Sequence, residues 1–213
     1  VAKKYGARTL VDDAHGIGVT GAGRGTSAHF GITDDVDLIM GTFSKSFASI
    51  GGFIAGDANI VHYIQHHARA LIFSAALPAP SAAAVLQALD IIETEPELVR
   101  KLWSNADYMR SGLQQLGYDT AGSNTPIVPV VIKDEYRTAL AWRALIEEGV
   151  YTNPVIPPGV PPNASLLRTS YMATHEVDHL DRALEAFELV GNRLDLIKSS
   201  SQQGPPATEP STL

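Results

Sequence analysis

Lys45 stands among small and hydroxyl-bearing residues, just after an apolar stretch that predicts a buried strand over residues 37–42. Thr42 and Ser44 precede it, and their hydroxyls can donate hydrogen bonds. An amine attacks a carbonyl group only when it is unprotonated, and an ordinary lysine pKa of about 10.4 leaves it charged near neutral pH. Burial lowers the pKa of a lysine, so we expect Lys45 to lie where water is scarce. A solvated surface lysine is the alternative, but no other charged residue flanks this one.

Two acidic residues and a histidine follow a second apolar run, residues 9–11. Asp12 is the last residue of this predicted parallel strand, at the carboxyl end where α/β sheets carry ligands. His15 lies three residues on, in the loop that leaves the strand. Aspartate is also common where a strand turns, and that is the preferred interpretation for Asp13. With Lys45, these residues predict half of a binding site.

The order of these groups, followed by the glycine pair Gly51 and Gly52, resembles the α-oxoamine synthases over residues 8–190. These are fold-type-I enzymes that use pyridoxal 5′-phosphate, so the resemblance implies that cofactor. It also implies an α/β fold, namely part of the large, mainly parallel-sheet domain and a small α+β C-terminal domain.

The resemblance assigns a role to each residue of the motif. Lys45 has the position of the lysine that links covalently to the cofactor, and Asp12 that of the carboxylate paired with the pyridinium nitrogen. A ring nitrogen held protonated makes the ring a better electron sink. His15 has the position that hydrogen-bonds the phenolic oxygen, Thr42 matches the phosphate-binding position, and Ser44 is a second candidate for the phosphate. No metal ion is implied.

Two residues further along the chain extend the implied site. Ser74 resembles a hydroxyl residue that reaches across a dimer interface to the neighbouring phosphate, which implies a homodimer. Its alternative role is the N-cap of the helix predicted from residue 81. Arg168 has the position that binds the substrate carboxylate, which its planar guanidinium matches with two parallel hydrogen bonds. A solvated surface arginine is the alternative, although the seven-residue offset to His175 also fits the family.

Residues 41–46, 102–106 and 151–153 most resemble the bacterial serine palmitoyltransferases. The implied reaction condenses an amino acid, serine, with a long-chain acyl-CoA and releases carbon dioxide, giving an α-amino ketone. Ile156 departs from the arginine of those enzymes, and Ala70 from a proline common after the family's arginine. A glycine-using synthase such as aminoketobutyrate ligase, or a fold-type-I aminotransferase, therefore stays open. A non-catalytic subunit is also possible, but Lys45 argues against it.

Two further patterns have structural explanations. Residues 16–21 spell G-x-G-x-x-G after a strand, but the glycine-rich stretch beyond them disfavours the helix that a dinucleotide site requires. His62, His66 and His67 lie on a predicted surface helix without the acidic ligand of a zinc motif.

Composition narrows the class of protein. The 213 residues carry a net charge of −7, from 23 acidic and 16 basic residues, which argues against a nucleic-acid surface. No apolar run is long enough to span a membrane, and the absence of cysteine excludes a disulfide framework. We expect a cytoplasmic enzyme.

The start of the chain, residues 1–6, is typical of a helix end that enters a strand, so we expect a fragment that forms no closed active site alone. Apolar periodicity predicts a helix over 81–116 broken near Pro96, strands over 127–132 and 166–171, and helices over 136–148 and 177–190. The predicted parts are a cofactor-binding part at 1–80, connecting helices at 81–117, a small α+β domain at 118–198 and a disordered tail at 199–213.

Overall fold

The computed structural model describes residues 1–197, so the predicted tail lies outside the described residues. The chain divides into two compact units, one over residues 1–102 and the other from residue 103 onward. The predicted boundaries near residues 80 and 117 lie on either side of this division and remain a proposal.

The first unit contains a three-stranded sheet in the order β1-β2-β3. Strands β1 and β2 are parallel, with Asp12 opposite Met40, whereas β2 and β3 are antiparallel, with Thr42 opposite Gly52. The elements are β1 (Leu10–Asp12), α1 (Thr26–His29), β2 (Leu38–Thr42), β3 (Gly52–Gly56), α2 (Ala58–His67), α3 (Arg69–Ile72), α4 (Ala79–Thr94) and α5 (Pro96–Gln115), which continues past residue 102.

Local side chains fix where the first strands and helices begin. Asp37 accepts hydrogen bonds from the Thr9 backbone N–H (2.8 Å) and hydroxyl (3.0 Å), which aligns β1 with β2. Asp57 caps α2 by accepting from the backbone N–H of Asn59 at 2.8 Å. Phe53 lies across Gly41, where any Cβ would overlap the ring. Small residues in β2 therefore allow close packing of β3.

The second unit contains a three-stranded antiparallel sheet in the order β4-β6-β5. Asp134 caps α6 by accepting a hydrogen bond from the backbone N–H of Arg137 at 2.7 Å, and a capping box formed by Glu176 and His179 starts α7. The elements are β4 (Ile127–Lys133), α6 (Glu135–Glu147), β5 (Asn153–Val155), β6 (Ser165–Ser170) and α7 (Val177–Arg193).

The hydrophobic core of the second unit lies between one face of this sheet and its helices. Tyr118 donates from its hydroxyl to the Phe187 carbonyl at 2.8 Å, so the buried phenol is satisfied. Burial raises the pKa of Tyr118 well above its usual value. The largest fully buried apolar side chains include Met109, Leu113, Val128, Val130, Leu145, Leu167, Phe187 and Val190.

The strands and helices predicted from apolar periodicity are confirmed, including the break between α4 and α5 before Pro96. Strands β3 and β5 were not expected. Among residues 1–197, no helix is long and apolar enough to cross a membrane.

Candidate functional site

The turn after β1 carries Asp12 and His15. Asp12 is exposed, and its Oδ1 accepts a hydrogen bond from the backbone N–H of Ala14 at 3.1 Å, so the carboxylate also shapes the turn. The backbone N–H of Asp13 donates to the Met40 carbonyl at 2.8 Å and continues the pairing of β1 with β2. His15 is exposed in the same turn.

The turn after β2 carries Lys45. The hydroxyls of Thr42 and Ser44 lie 2.8 Å apart, and Thr42 Oγ1 also donates to the Gly51 carbonyl at 3.3 Å. The backbone N–H of Ser44 donates to Thr42 Oγ1 at 3.2 Å, so the two hydroxyls form one group. Lys45 is exposed, contrary to the expectation that this chain buries it. The two hydroxyls could serve one anionic group.

The parallel pairing of β1 and β2 brings the two turns together. Parallel strands end at the same edge of a sheet, so the Asp12–His15 turn and the Lys45 turn leave from that edge. Ser46 connects the Lys45 turn to the chain just beyond His15, because its Oγ donates to the Ile17 carbonyl at 2.7 Å. The structure therefore collects five of the predicted residues, Asp12, His15, Thr42, Ser44 and Lys45, at one sheet edge.

Ser74 lies two residues after the end of α3 and is exposed. Its Oγ donates to the carbonyl of Ala70. It does not cap α4, which begins at Ala79 after Pro78. The exposed hydroxyl remains a candidate for contact with a second copy of the chain, which a single chain does not test.

Arg168 lies on the central strand of the second unit, opposite Asn153 on β5 and Pro129 on β4. Its side chain is partly buried, and its Nε has no hydrogen-bond partner among the residues described. Arg168 lines a cavity of about 830 Å³ together with Tyr171 and His175. A buried guanidinium donor without a partner is suited to an anionic ligand.

The loop after β6 is held by a residue that the sequence did not single out. Asn105 on α5 is buried, and its Nδ2 donates to the carbonyls of Met172 and His175, both at 2.9 Å. The backbone N–H of Met172 donates to His175 Nδ1 at 3.3 Å. Burial first, and the nearby His179 second, lower the pKa of His175. A polar residue at an apolar position of a helix was the signal for Asn105.

The two discounted patterns have the structural explanations expected of them. Gly21 opens a short 3₁₀ turn interrupted by Ala22 (φ 56°), so no regular helix begins at the third glycine, and the one-turn helix α1 begins only at Thr26. The histidines of α2 lie on a helix without buried residues, and His66 Nδ1 lies 2.8 Å from the His62 carbonyl. Within residues 1–197, no group of three potential metal ligands is close enough to hold an ion.

The side chains at the sheet edge fit pyridoxal phosphate in chemical type. The cofactor presents an aldehyde, a ring nitrogen, a phenolic oxygen and a phosphate, and the edge offers an amine, a carboxylate, an imidazole and two adjacent hydroxyls. Each of these five side chains is exposed or half-buried, so it is accessible to a ligand.

Curated relatives resemble the chain over most of its length. It is 48% identical over 188 residues to a serine palmitoyltransferase of Bacteriovorax stolpii, covering 88% of this chain and 45% of that protein. It is 42% identical over 198 residues to an 8-amino-7-oxononanoate synthase of Thermoanaerobacter pseudethanolicus, covering 92% and 50%. The chain spans about half the length of the curated relatives it matches.

Solved structures give the same relationship. A Sphingomonas wittichii serine palmitoyltransferase superposes with a TM-score of 0.89 at 32% identity, over 92% of this chain and 50% of that one. A structure of SPT with PLP superposes with a TM-score of 0.88 at 34% identity, over the same shares of the two chains. These superpositions confirm the predicted fold class.

The sequence profile described as "Aminotransferase class I and II" matches residues 1–187, most of the chain. Proteins of this family and the related serine palmitoyltransferases depend on pyridoxal phosphate, which confirms the cofactor prediction. By sequence profile and by fold, the chain belongs to the aminotransferase class I and II family of pyridoxal-phosphate-dependent enzymes.

Proposed function

We propose that this chain carries the lysine-bearing part of a pyridoxal-phosphate-dependent acyltransferase that condenses an amino acid with an acyl-CoA. The observation that carries the proposal is the joined pair of turns at the ends of the parallel strands β1 and β2, with Lys45 on one turn and Asp12 and His15 on the other. When bound, the cofactor supplies an aldehyde that condenses with amines and a ring that stores the electrons of a carbanion.

Lys45 contributes its amine to the covalent attachment of the cofactor. With the cofactor bound, Lys45 Nζ would also be the general base that takes the α-proton of the amino-acid substrate. Asp12 holds a proton on the ring nitrogen by charge pairing, and His15 hydrogen-bonds the phenolic oxygen. Thr42 and Ser44 donate their hydroxyls to the phosphate.

Arg168 orients the amino-acid substrate through its carboxylate. The unpartnered Nε and the adjacent cavity support this role, because a carboxylate accepts two parallel hydrogen bonds from a guanidinium. Ser74 donates its hydroxyl to the phosphate in a second copy of the chain, which makes the active protein a homodimer. Its exposure is compatible with that contact.

Serine and a long-chain acyl-CoA are the substrates we propose, with release of CoA and carbon dioxide. The resemblance to serine palmitoyltransferases supports these substrates, and with them the reaction would belong to sphingolipid biosynthesis. Glycine is the second candidate amino acid, as in a glycine-using synthase such as aminoketobutyrate ligase. An aminotransferase is the third candidate activity, and a cytoplasmic location remains a prediction.

Absorbance spectra of the full-length protein with pyridoxal phosphate test this proposal. Wild type is compared with Lys45→Ala and with Lys4→Ala, which removes an exposed lysine of the same unit. We expect a visible cofactor band that only Lys45→Ala abolishes, and CoA release from palmitoyl-CoA that requires serine. CoA release with glycine alone would identify the second candidate, and conversion of the cofactor to its amine without CoA release would identify an aminotransferase. A cofactor band unaffected by Lys45→Ala would refute the proposal.

A further inference from the structure

Asp13 is buried in the turn between Asp12 and His15, with 3% of its surface exposed. Both of its carboxylate oxygens are used. Oδ2 accepts from the backbone N–H of Thr26 at 2.7 Å, and Oδ1 accepts from the Thr26 hydroxyl at 2.6 Å. A buried carboxylate with two such partners is an anchor for a distant piece of chain rather than a local turn cap, because Thr26 lies 13 residues away.

The loop of residues 16–25 wraps around this carboxylate. A Cβ on Gly16 or Gly25 would overlap the carboxylate of Asp13, so no side chain could be accommodated at either position. Gly25 also has a φ of +97°, which L-residues rarely adopt. Gly16, the first glycine of the G-x-G-x-x-G pattern, and Gly25 beyond it therefore allow the loop to approach Asp13.

The same loop contacts the turn that carries Lys45. Ser46 Oγ donates to the Ile17 carbonyl at 2.7 Å, and a Cβ on Gly18 would overlap the Ser46 side chain. Ile17 is itself tied back to the anchor, because its backbone N–H donates to the Asp13 carbonyl at 3.1 Å. The main chain of Asp13 is thus connected through Ile17 to Ser46, next to Lys45, and the carboxylate of Asp13 holds the far end of the same loop at Thr26.

We propose that Asp13 and Ser46 are positioning residues that hold the Lys45 turn against the Asp12–His15 turn through the loop of residues 16–25. This inference rests on the proposed function, since it concerns the geometry of the same site. The lysine must reach the aldehyde while Asp12 reaches the ring nitrogen of one rigid molecule. A displacement of about 1 Å between such groups can reduce a rate about 100-fold.

The experiment is a double-mutant cycle in the full-length protein with Asp13→Asn, Ser46→Ala and the double variant. Thr26→Ser, which keeps both donors to Asp13, is the conservative variant, and Asp34→Asn changes an exposed aspartate of the same unit as a control. Two quantities are measured: the dissociation constant of pyridoxal phosphate by absorbance titration, and hydrogen exchange of the amides of residues 17–25 without cofactor.

We expect each single variant to raise the cofactor dissociation constant about tenfold and to accelerate exchange in the loop at least tenfold. Because the two residues act through one loop, the double variant should lose much less than the product of the single effects. Thr26→Ser and Asp34→Asn should match wild type in both measurements.

Independent effects of Asp13→Asn and Ser46→Ala, or unchanged loop exchange in either variant, would overturn the inference. This failure differs from failure of the proposed function. The proposed function fails if wild type itself shows no Lys45-dependent cofactor band, whereas loop exchange is measured without cofactor and still decides whether Asp13 and Ser46 hold the loop.

Discussion

Asn105 is predicted to fix the loop that follows the arginine-bearing strand β6. Its amide nitrogen donates two hydrogen bonds of 2.9 Å to the carbonyls of Met172 and His175, and only 7% of the residue is exposed. The Met172 carbonyl keeps a second donor, the backbone N–H of His175 at 3.2 Å, when the Asn105 side chain is removed. Asn105→Ala therefore removes two hydrogen bonds and deprives the His175 carbonyl of its side-chain donor.

The expected cost of Asn105→Ala follows from these contacts. Each buried hydrogen bond contributes about 1 kcal/mol net, so the loop should lose about 2 kcal/mol of local stability. That energy corresponds to about a 30-fold rise in the population of the opened loop. Asn105→Asp should cost more, because a carboxylate oxygen would then face two carbonyl oxygens. Arg168 lies on β6, two residues before the strand ends and the loop begins. The KM of Asn105→Ala for the amino-acid substrate should therefore also rise.

Hydrogen exchange of the Met172 and His175 amides measures this local stability directly. Asn192→Ala, which changes an exposed asparagine of the same unit, is the control and should leave exchange within about 0.5 kcal/mol of wild type. Unchanged protection of both amides in Asn105→Ala would refute the prediction that Asn105 fixes the loop after β6. A KM increase without a change in protection would show that Asn105 acts on the substrate by another route.

Three further outcomes are expected. Phe187→Ala, at a site 2% exposed in the core, should lower the free energy of unfolding by about 3–5 kcal/mol, which a lower denaturant midpoint at constant slope would show and an unchanged midpoint would contradict. The backbone N–H of Thr9, the neighbouring arginine and the Thr9 hydroxyl hold the pKa of Asp37 at about 2, so its contribution to stability is complete above pH 3.8 and is lost as the pH falls through 2. Acid unfolding of Asp37→Asn should lack this dependence, and an identical acid profile would contradict it. Burial lowers the pKa of His175, so its contribution is complete above its ordinary value near 6.5 and is lost as the pH falls through the lower folded value. An NMR titration midpoint of His175 above 6.5 would contradict this prediction.

Elements with strong local signals were predictable from the sequence. Helix α6 follows the cap at Asp134, and β4 is an apolar run, so local chemistry and burial indicate the same structure. Strand β3 was missed because it begins and ends with glycine, and β5 because it has three residues with Pro154 at its centre. Each forms by pairing with a stronger strand, β2 or β6, and that pairing leaves little signal in the short segment itself.

The candidate site was predictable only as far as single residues reveal their chemistry. Lys45 and Asp12 follow apolar strands, so their positions at one sheet edge could be expected. The supporting contacts could not, because Ser46 meets a carbonyl 29 residues away and Asn105 meets carbonyls 67 and 70 residues away. Asp13 was interpreted as a turn residue because nothing in its neighbourhood indicates a partner as distant as Thr26.

Lys45 has a fixed backbone but an exposed side chain, and the proposed chemistry needs an uncharged amine. The backbone around the lysine is well fixed, because the N–H of Ala48 donates to the Lys45 carbonyl at 3.0 Å and the N–H of Ser49 to the Phe43 carbonyl at 2.8 Å. The side chain itself is exposed, so these contacts fix the backbone at Lys45 without removing water from its amine. Removing water from an amine favours its neutral form. We therefore expect the bound cofactor, or polypeptide beyond the described residues, to cover Lys45 during the proposed reaction.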